Sequence, residues 1–168
     1  IFFFFLLTLN AGSLVTAGGR IAHAGPDVFF FCLSGHADNA HGNIIGNGAL
    51  SLSAGSLAND AGLIVTPKGG VLTVTGALSN LGGTVRSDKA LTIMSGSLVN
   101  DRGSIDSLDA LFVRSGSIAN GSGSIIARGG AGLSVNGLTG QVLTLTNNTG
   151  TLASTGALEV TADAIDNT

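Results

Sequence analysis

Aliphatic residues come in short pulses along this chain, and Ser, Thr, Asn and Gly fill the spaces between them. The pulses keep phase with a recurring asparagine, spaced 20, 21, 20, 20, 27 and 20 residues apart. The recurring asparagines are Asn39, Asn59, Asn80, Asn100, Asn120, Asn147 and Asn167. After each of the first six, a glycine follows at the third position and an aliphatic residue two positions later, as in Asn59, Gly62 and Ile64. A fixed period of this kind indicates a repeat protein.

Farther along each unit, two apolar residues flank one other residue. These pairs are Leu50/Leu52, Leu72/Val74, Leu91/Ile93, Leu111/Val113, Leu133/Val135 and Leu158/Val160, and Phe30/Cys32 takes the same place in the first clear unit. Such alternation predicts β-strands, because successive side chains of a strand point to opposite faces. No window keeps an apolar stripe at helical spacing, so no helix is predicted.

Three short apolar stretches per unit predict a three-sided coil, and stacked coils predict an all-β parallel β-helix of about seven coils. Gly and Asn are expected to supply the positive φ values at the corners. The asparagines are expected to form a structural column, either by hydrogen-bonding along the stack or by tolerating a left-handed turn. The predicted core residues are Ile44, Leu50, Leu52, Ile64, Leu72, Val74, Val85, Leu91, Ile93, Ile105, Leu111, Val113 and Ile125.

The regular repeat is predicted over residues 19–168, preceded at 1–18 by an irregular apolar segment, truncated or a leading coil. Residues 1–9 fit either a remnant of a signal segment or a buried strand, and they are too few to cross a bilayer as a helix. Extra residues at 67–70 and 128–130, and an insertion at 136–141, are expected to bulge as surface loops. Because the repeat breaks off at Asn167 and Thr168, we expect the chain to be a piece of a longer solenoid.

The composition argues against some classes of function, nucleic-acid binding among them. Only 10% of the residues are charged and the formal net charge is −3, so no electrostatic footprint for nucleic acid is present. Cys32 is the single cysteine, and burial as a small apolar residue is favoured over a nucleophilic role.

The best metal candidates are His23, His36 and His41, with Asp38 between the last two. Their spacing matches no tight zinc pattern and no thiol pair accompanies them, so exposed corner positions are expected. We predict no metal site and no cofactor.

Carboxylates are few, whereas a polysaccharide-cleaving β-helix needs acids converging with Lys or Arg on one outer face. Arg86 and Asp106 occupy equivalent places in neighbouring units and are expected to pair across the stack, for about 0–1 kcal/mol. We predict no catalytic residue.

The units from Gly62 to Asn80, Gly83 to Asn100 and Gly103 to Asn120 resemble the repeats of the filamentous haemagglutinin family. That family includes contact-dependent growth-inhibition exoproteins and haemolysin-like adhesins exported by two-partner secretion. The resemblance covers about residues 10–168 and rests on the phased Asn-x-x-Gly-x-aliphatic and Leu-x-Leu elements. The family's Asn-Pro-Asn-type secretion signatures and its toxin-like carboxy-terminal domains are not found in these residues.

The resemblance implies a right-handed parallel β-helix that is secreted or displayed on a cell with an outer membrane. It also implies two kinds of partner for the full-length protein: an outer-membrane transporter, and receptors or glycans on host or neighbouring cells. The predicted function is a rigid shaft for adhesion or display, including the stalk of a contact-dependent toxin-delivery exoprotein. A carbohydrate-active lyase or hydrolase, or a glycan-binding surface, is the alternative, and stable membrane insertion by this segment is not expected.

Overall fold

The computed structural model of the chain describes residues 6–135 and 144–168, with the backbone alone at 133–135. These residues form β-strands joined by turns, and none of them is helical. The strands are β1 (Leu7–Ala11), β2 (Leu14–Val15), β3 (Arg20–His23), β4 (Phe29–Leu33), β5 (His36–Asp38), β6 (Asn43–Gly46), β7 (Leu50–Ala54), β8 (Ser56–Ala58), β9 (Leu63–Thr66), β10 (Gly70–Ser79), β11 (Thr84–Ser87), β12 (Leu91–Val99), β13 (Ser104–Ser107), β14 (Ala110–Ser115), β15 (Ile118–Ala119), β16 (Ser124–Ala127), β17 (Gly130–Val135), β18 (Thr144–Thr146), β19 (Thr151–Ser154), β20 (Leu158–Thr161) and β21 (Ala164–Asp166). The insertion predicted at 136–141 lies outside the described residues.

The strands stack into a solenoid with three faces. The front face runs β1-β4-β7-β10-β12-β14-β17-β20, and the back face runs β3-β6-β9-β11-β13-β16-β19. The side face contains β2, β5, β8, the second halves of β10 and β12, and then β15, β18 and β21. Neighbouring strands are parallel, as in Thr84↔Leu63 and Thr84↔Ser104 on the back face. Coils are numbered here from their front strand, so β1 opens coil 1 and β20 opens coil 8. The predicted all-β parallel solenoid of about seven turns is confirmed.

The core is one continuous column of aliphatic side chains. On the back face Ile64, Val85 and Ile105 lie in register and are fully buried. The other predicted core residues lie in the same interior and are at most 2% exposed: Ile44, Leu50, Leu52, Leu72, Val74, Leu91, Ile93, Leu111, Val113 and Ile125. Each such side chain contributes about 1.5–3 kcal/mol by leaving water, so a coil is stable only when neighbours cover both of its sides.

The amino-terminal segment takes part in the stack. Within residues 1–18, β1 hydrogen-bonds to β4 and β2 hydrogen-bonds to β5 in the parallel register of the later coils. Leu7, Leu9 and Leu14 pack against the core cluster. Residues 6–18 therefore have the structure of a leading coil.

The apolar run at 29–33 has the opposite phase to the one predicted. Phe29, Phe31 and Leu33 are buried, whereas Phe30 and Cys32 point outward and are exposed. The run is apolar at both parities, so alternation alone could not choose between them. Pairing with β7 decides it, since Phe29 lies beside Leu50 and Phe31 beside Leu52. The predicted burial of Cys32 is therefore wrong.

The bulges predicted at 67–70 and 128–130 do not form. Gly70 takes the strand position of Leu50, and Ala131 takes that of Leu111, so both corners keep the ordinary length. The surplus residues of the described chain are elsewhere. Residues 24–28 lengthen the corner before β4, and Thr75 is the extra residue in β10, where the register to β12 shifts. The turn between β4 and β5 also holds one residue more than the turn between β7 and β8.

Candidate functional site

The most ordered polar feature is a buried column of asparagines at the corner between the side and back faces. Asn59, Asn80, Asn100 and Asn120 are 0% exposed, Asn39 is 1% exposed and Asn147 is 4% exposed. Asn167 ends the column in the last coil and is exposed. A side-chain amide has N–H donors and a carbonyl acceptor, so a buried amide needs hydrogen-bond partners for both its nitrogen and its oxygen.

Each column amide bonds to the next coil in the same direction. The Nδ2 group of Asn59 donates to Oδ1 of Asn80 at 2.7 Å, and Nδ2 of Asn80 donates to Oδ1 of Asn100 at 2.7 Å. The same bond, at 2.6–2.7 Å, joins Asn39 to Asn59, Asn100 to Asn120, Asn120 to Asn147 and Asn147 to Asn167. Nδ2 also donates to a carbonyl of its own corner and one of the next coil, as Asn80 does to Gly83 and Ser104. The column therefore ties the corner of every coil to the next.

The glycine three residues after each asparagine is required by the column itself. A Cβ at Gly103 would lie 2.1 Å from the carbonyl oxygen of Asn80 and 2.7 Å from Oδ1 of Asn100. Gly62, Gly83, Gly123 and Gly150 are confined in the same way. None of these glycines has a positive φ, so close approach of the neighbouring coil, and not turn geometry, excludes a side chain.

The left-handed corner residue is the one before that glycine. It is His41, Ala61, Arg102, Ser122 or Thr149 in five coils, with φ between 51° and 57°, and Gly18 or Gly82 in two others. The column asparagines are not among the positive-φ residues, so the prediction that Asn supplies that conformation is wrong, whereas glycine does supply it at Gly18, Gly69, Gly82 and Gly130. A non-glycine residue in this region costs about 1–2 kcal/mol, which the packed column compensates.

Coil 1 begins the column with a different residue. Thr16 is buried where an asparagine would stand, and its Oγ1 donates to Oδ1 of Asn39 at 2.9 Å. The amide of Gly19 bonds to the carbonyl of Thr16 at 2.7 Å, as the amide of Gly42 does to Asn39. In the sequence, Gly19-Arg20-Ile21 has the same Gly-x-aliphatic form as the later units and marks this position. The recurring asparagine does not, because Thr16 replaces it here.

The three histidines have different surroundings. His23 is buried at the start of the stack, with its ring centroid 5.7 Å from that of Phe29, so the predicted exposed corner is wrong for this residue. His36 is exposed on the side face and its Nδ1 bonds to the hydroxyl of Ser56. Among residues 6–135 and 144–168, no three His, Cys, Asp or Glu side chains come together as metal ligands.

Arg86 does not pair across the stack with Asp106. The two residues are register partners, but Nη2 of Arg86 lies 3.3 Å from Oδ1 of Asp88 in its own coil. The side chains of Arg86 and Asp88 are 49% and 42% exposed, so this contact contributes little to stability. Oδ1 of Asp106 is buried without a hydrogen-bond partner.

The outward side of the front face carries one row that alternates large and small residues. Phe30, Val71 and Phe112 occupy the row in coils 2, 4 and 6, and they are 40%, 42% and 45% exposed. Ser51, Thr92 and Gly132 occupy the same row in coils 3, 5 and 7.

The described part of the chain contains no helix with the length and apolar character needed to cross a membrane.

A family model for the haemagglutinin repeat matches residues 6–28, 33–82, 69–146 and 110–168. The chain belongs to the haemagglutinin repeat family. The matches together cover almost the whole sequence, so this chain is an adhesin-type repeat segment. No curated protein and no solved structure matches it. The residues that repeat from coil to coil are the column asparagines, the glycines that follow them and the buried aliphatic residues.

Proposed function

We propose that this haemagglutinin repeat chain is a rigid shaft in a secreted or cell-surface adhesin, holding adhesive or effector parts away from the surface that carries it. Export of the full-length protein through an outer-membrane transporter, and receptors or glycans on host or neighbouring cells as targets, belong to the same proposal. The observation that carries it is the unbroken asparagine column, which joins coil to coil from Thr16 to Asn167. Its polar groups are buried and used within the stack, so they serve rigidity and are not free for chemistry.

Two further features support a shaft. The front, side and back faces all continue as parallel ladders through the described coils, with one register shift at Thr75, so bending would break several ladders at once. The regular repeat at 19–168 together with the leading coil forms one body, and we propose that it works as one structural unit. Neighbouring coils of a solenoid add about 4.8 Å each, so eight front strands span about 34 Å.

Rigidity is tested by measuring one distance along the shaft. Cysteines placed at Thr8 and Thr161, both exposed on the front face, would carry a donor and an acceptor dye in a Cys32→Ser background. We expect a single narrow distance distribution near 34 Å that does not change with viscosity. A broad distribution would show a flexible connector and would overturn the shaft.

Adhesion is tested with beads coated with the folded chain, placed on host-cell and bacterial-cell layers under flow. We expect retention above that of beads coated with the Asn80→Ala/Asn100→Ala variant, whose column is broken at two places. Equal retention of both proteins, each at equal surface density, would remove adhesion from the proposal and leave display alone.

The carbohydrate-active alternative makes a different prediction. An enzyme of that kind needs carboxylates that converge on one face, and Asp60 and Asp101 instead each bond to the corner of the next coil. Oδ1 of Asp60 accepts from the amide of Leu81, and Oδ1 of Asp101 accepts from the amide of Gly121. We expect no new reducing ends or unsaturated products from a panel of acidic and neutral polysaccharides. Release of such products would favour the enzyme.

A further inference from the structure

We propose that the front face is a self-association surface, on which a second copy of this chain packs face to face. The face is nearly free of charge: among its described outward side chains only Arg114 and Glu159 are charged. Three apolar side chains at Phe30, Val71 and Phe112 remain 40–45% exposed in one row. An apolar row on a sheet face with few charges is typical of an interface between proteins.

The alternation along this row makes the face complementary to itself. A two-fold axis that lies between two such faces and runs parallel to the strands reverses the order of the coils. Coil 2 then lies over coil 7, coil 3 over coil 6 and coil 4 over coil 5. Phe30 meets Gly132, Ser51 meets Phe112 and Val71 meets Thr92, and at the ends of the row Thr8 meets Glu159, so every large residue faces a small one. Packing of this kind, with large side chains set into gaps, is what holds two sheets about 10 Å apart.

One pair of opposite charges at the corner before the front strands suits the same arrangement, whereas Lys68 of coil 4 meets Lys89 of coil 5, whose neighbour Asp88 carries the opposite charge. Asp27 precedes the front strand of coil 2, and Arg128, which is exposed, precedes that of coil 7. Reversal of the coil order places Asp27 of one copy opposite Arg128 of the other, twice in the dimer. Opposite charges at the rim of an apolar patch fix the register of two partners and exclude wrong ones.

The area is sufficient for a specific dimer. Eight strands at about 4.8 Å spacing, with about five residues each at about 3.3 Å, give about 600 Å² per copy. About 1,200 Å² in total lies at the lower end of specific interfaces, which points to a dimer of moderate affinity that forms where copies are concentrated.

Sedimentation equilibrium over a wide concentration range tests the proposal. The parent chain is expected to be a dimer at high concentration and a monomer on dilution. Val71→Lys should raise the dimer dissociation constant at least about tenfold, because it places two charges inside the interface. Leu81→Lys is the matched control, since Leu81 is 36% exposed at the asparagine corner, away from the front face, and should leave the dissociation constant unchanged. Circular dichroism of each variant verifies that the fold is intact.

A charge exchange tests the two-fold arrangement. Asp27→Arg and Arg128→Asp should each weaken the dimer about tenfold, and the double variant should restore the parent affinity to within about threefold. A chain that stays monomeric at every concentration would overturn the proposal. So would an open series of oligomers that Val71→Lys leaves intact but Ile165→Lys abolishes, because that result would place the contact at the ends of the stack. Either result leaves the shaft proposal standing, since rigidity is measured on the monomer.

Discussion

At the scale of single residues, the column asparagine explains the most. One side chain accepts a hydrogen bond from the coil before it and donates to the coil after it, so it serves two interfaces at once. The same arrangement leaves no room for a Cβ at the glycine that follows. Asn and Gly are therefore one unit, and neither is free to change alone.

Asn100→Ala should lower the free energy of unfolding by about 2–3 kcal/mol, because Oδ1 of Asn120 would lose its donor inside the core and the acceptor for Asn80 would vanish. Urea denaturation followed by circular dichroism measures the change. Asn167→Ala is the control: its side chain is exposed at the end of the column, and we expect a loss below about 1 kcal/mol. Equal losses at the two positions would contradict a column stabilised by burial.

The left-handed corner gives a second prediction from a matched pair. Ala61 has φ 51° and Gly82, its counterpart in the next coil, has φ 60°. Ala61→Gly should raise the free energy of unfolding by up to about 1 kcal/mol, and Gly82→Ala should lower it by a similar amount. Opposite signs in thermal or urea denaturation are the expected result. Two changes of the same sign would mean that packing at this corner outweighs the backbone conformation.

Some of these residues could be predicted from the sequence and others could not. The column and the core followed from spacing alone, because each member recurs in phase with the coil. Thr16 did not follow from spacing, because a hydroxyl replaces the amide at the head of the column and the asparagine pattern does not include it. His23 and the contact of Arg86 with Asp88 depend on local geometry that spacing does not contain.

At the scale of strands, register with the neighbouring coil decides what alternation leaves open. The existence of three stretches per coil was predictable from the period, but the phase of β4 was not, because Phe29 to Leu33 is apolar throughout. The same holds for Gly70, which looked like part of a loop and yet occupies a buried strand position beside Leu50 and Leu91. Strand boundaries in a solenoid are fixed by the coils above and below.

Thr75 offers a test at this scale. It is the extra residue of β10, exposed at the corner between the front and side faces, and Val74 and Ala77 keep their partners on either side. Deletion of Thr75 should change the free energy of unfolding by less than about 1 kcal/mol, because solenoids absorb length changes at corners. Deletion of Ser97 in the next coil, which has no surplus residue, should pull Leu98 out of the core and cost about 2–5 kcal/mol. Comparable losses would show that Thr75 is needed for the corner.

At the scale of the whole molecule, stability should depend on position along the stack. A coil in the middle is covered on both sides, whereas Leu158 and Ile165 in coil 8 are 42% and 54% exposed. Solenoid stability is the sum of coil terms and nearest-neighbour interfaces, so end coils open first. The fold class was predictable because each coil repeats the same solution, whereas the outward faces were not, since nothing in the period constrains them.

Hydrogen–deuterium exchange measures this gradient. Backbone amides of coils 4 to 6, such as those of Val85 and Ile105, should exchange slowest, and those of coils 1 and 8 should exchange at least about a hundredfold faster, a difference of about 2.7 kcal/mol in opening free energy. Uniform protection from end to end would contradict stepwise opening and would indicate a single cooperative unit.

The asparagine column also gives the molecule an electrical direction. Every amide in it accepts from an earlier coil and donates to a later one, so the side-chain dipoles point the same way and add along the axis. Peptide dipoles in an α-helix add in the same manner and leave partial charges at its ends. The asparagine column is therefore polarised along the axis of the stack, with its positive end toward coil 8.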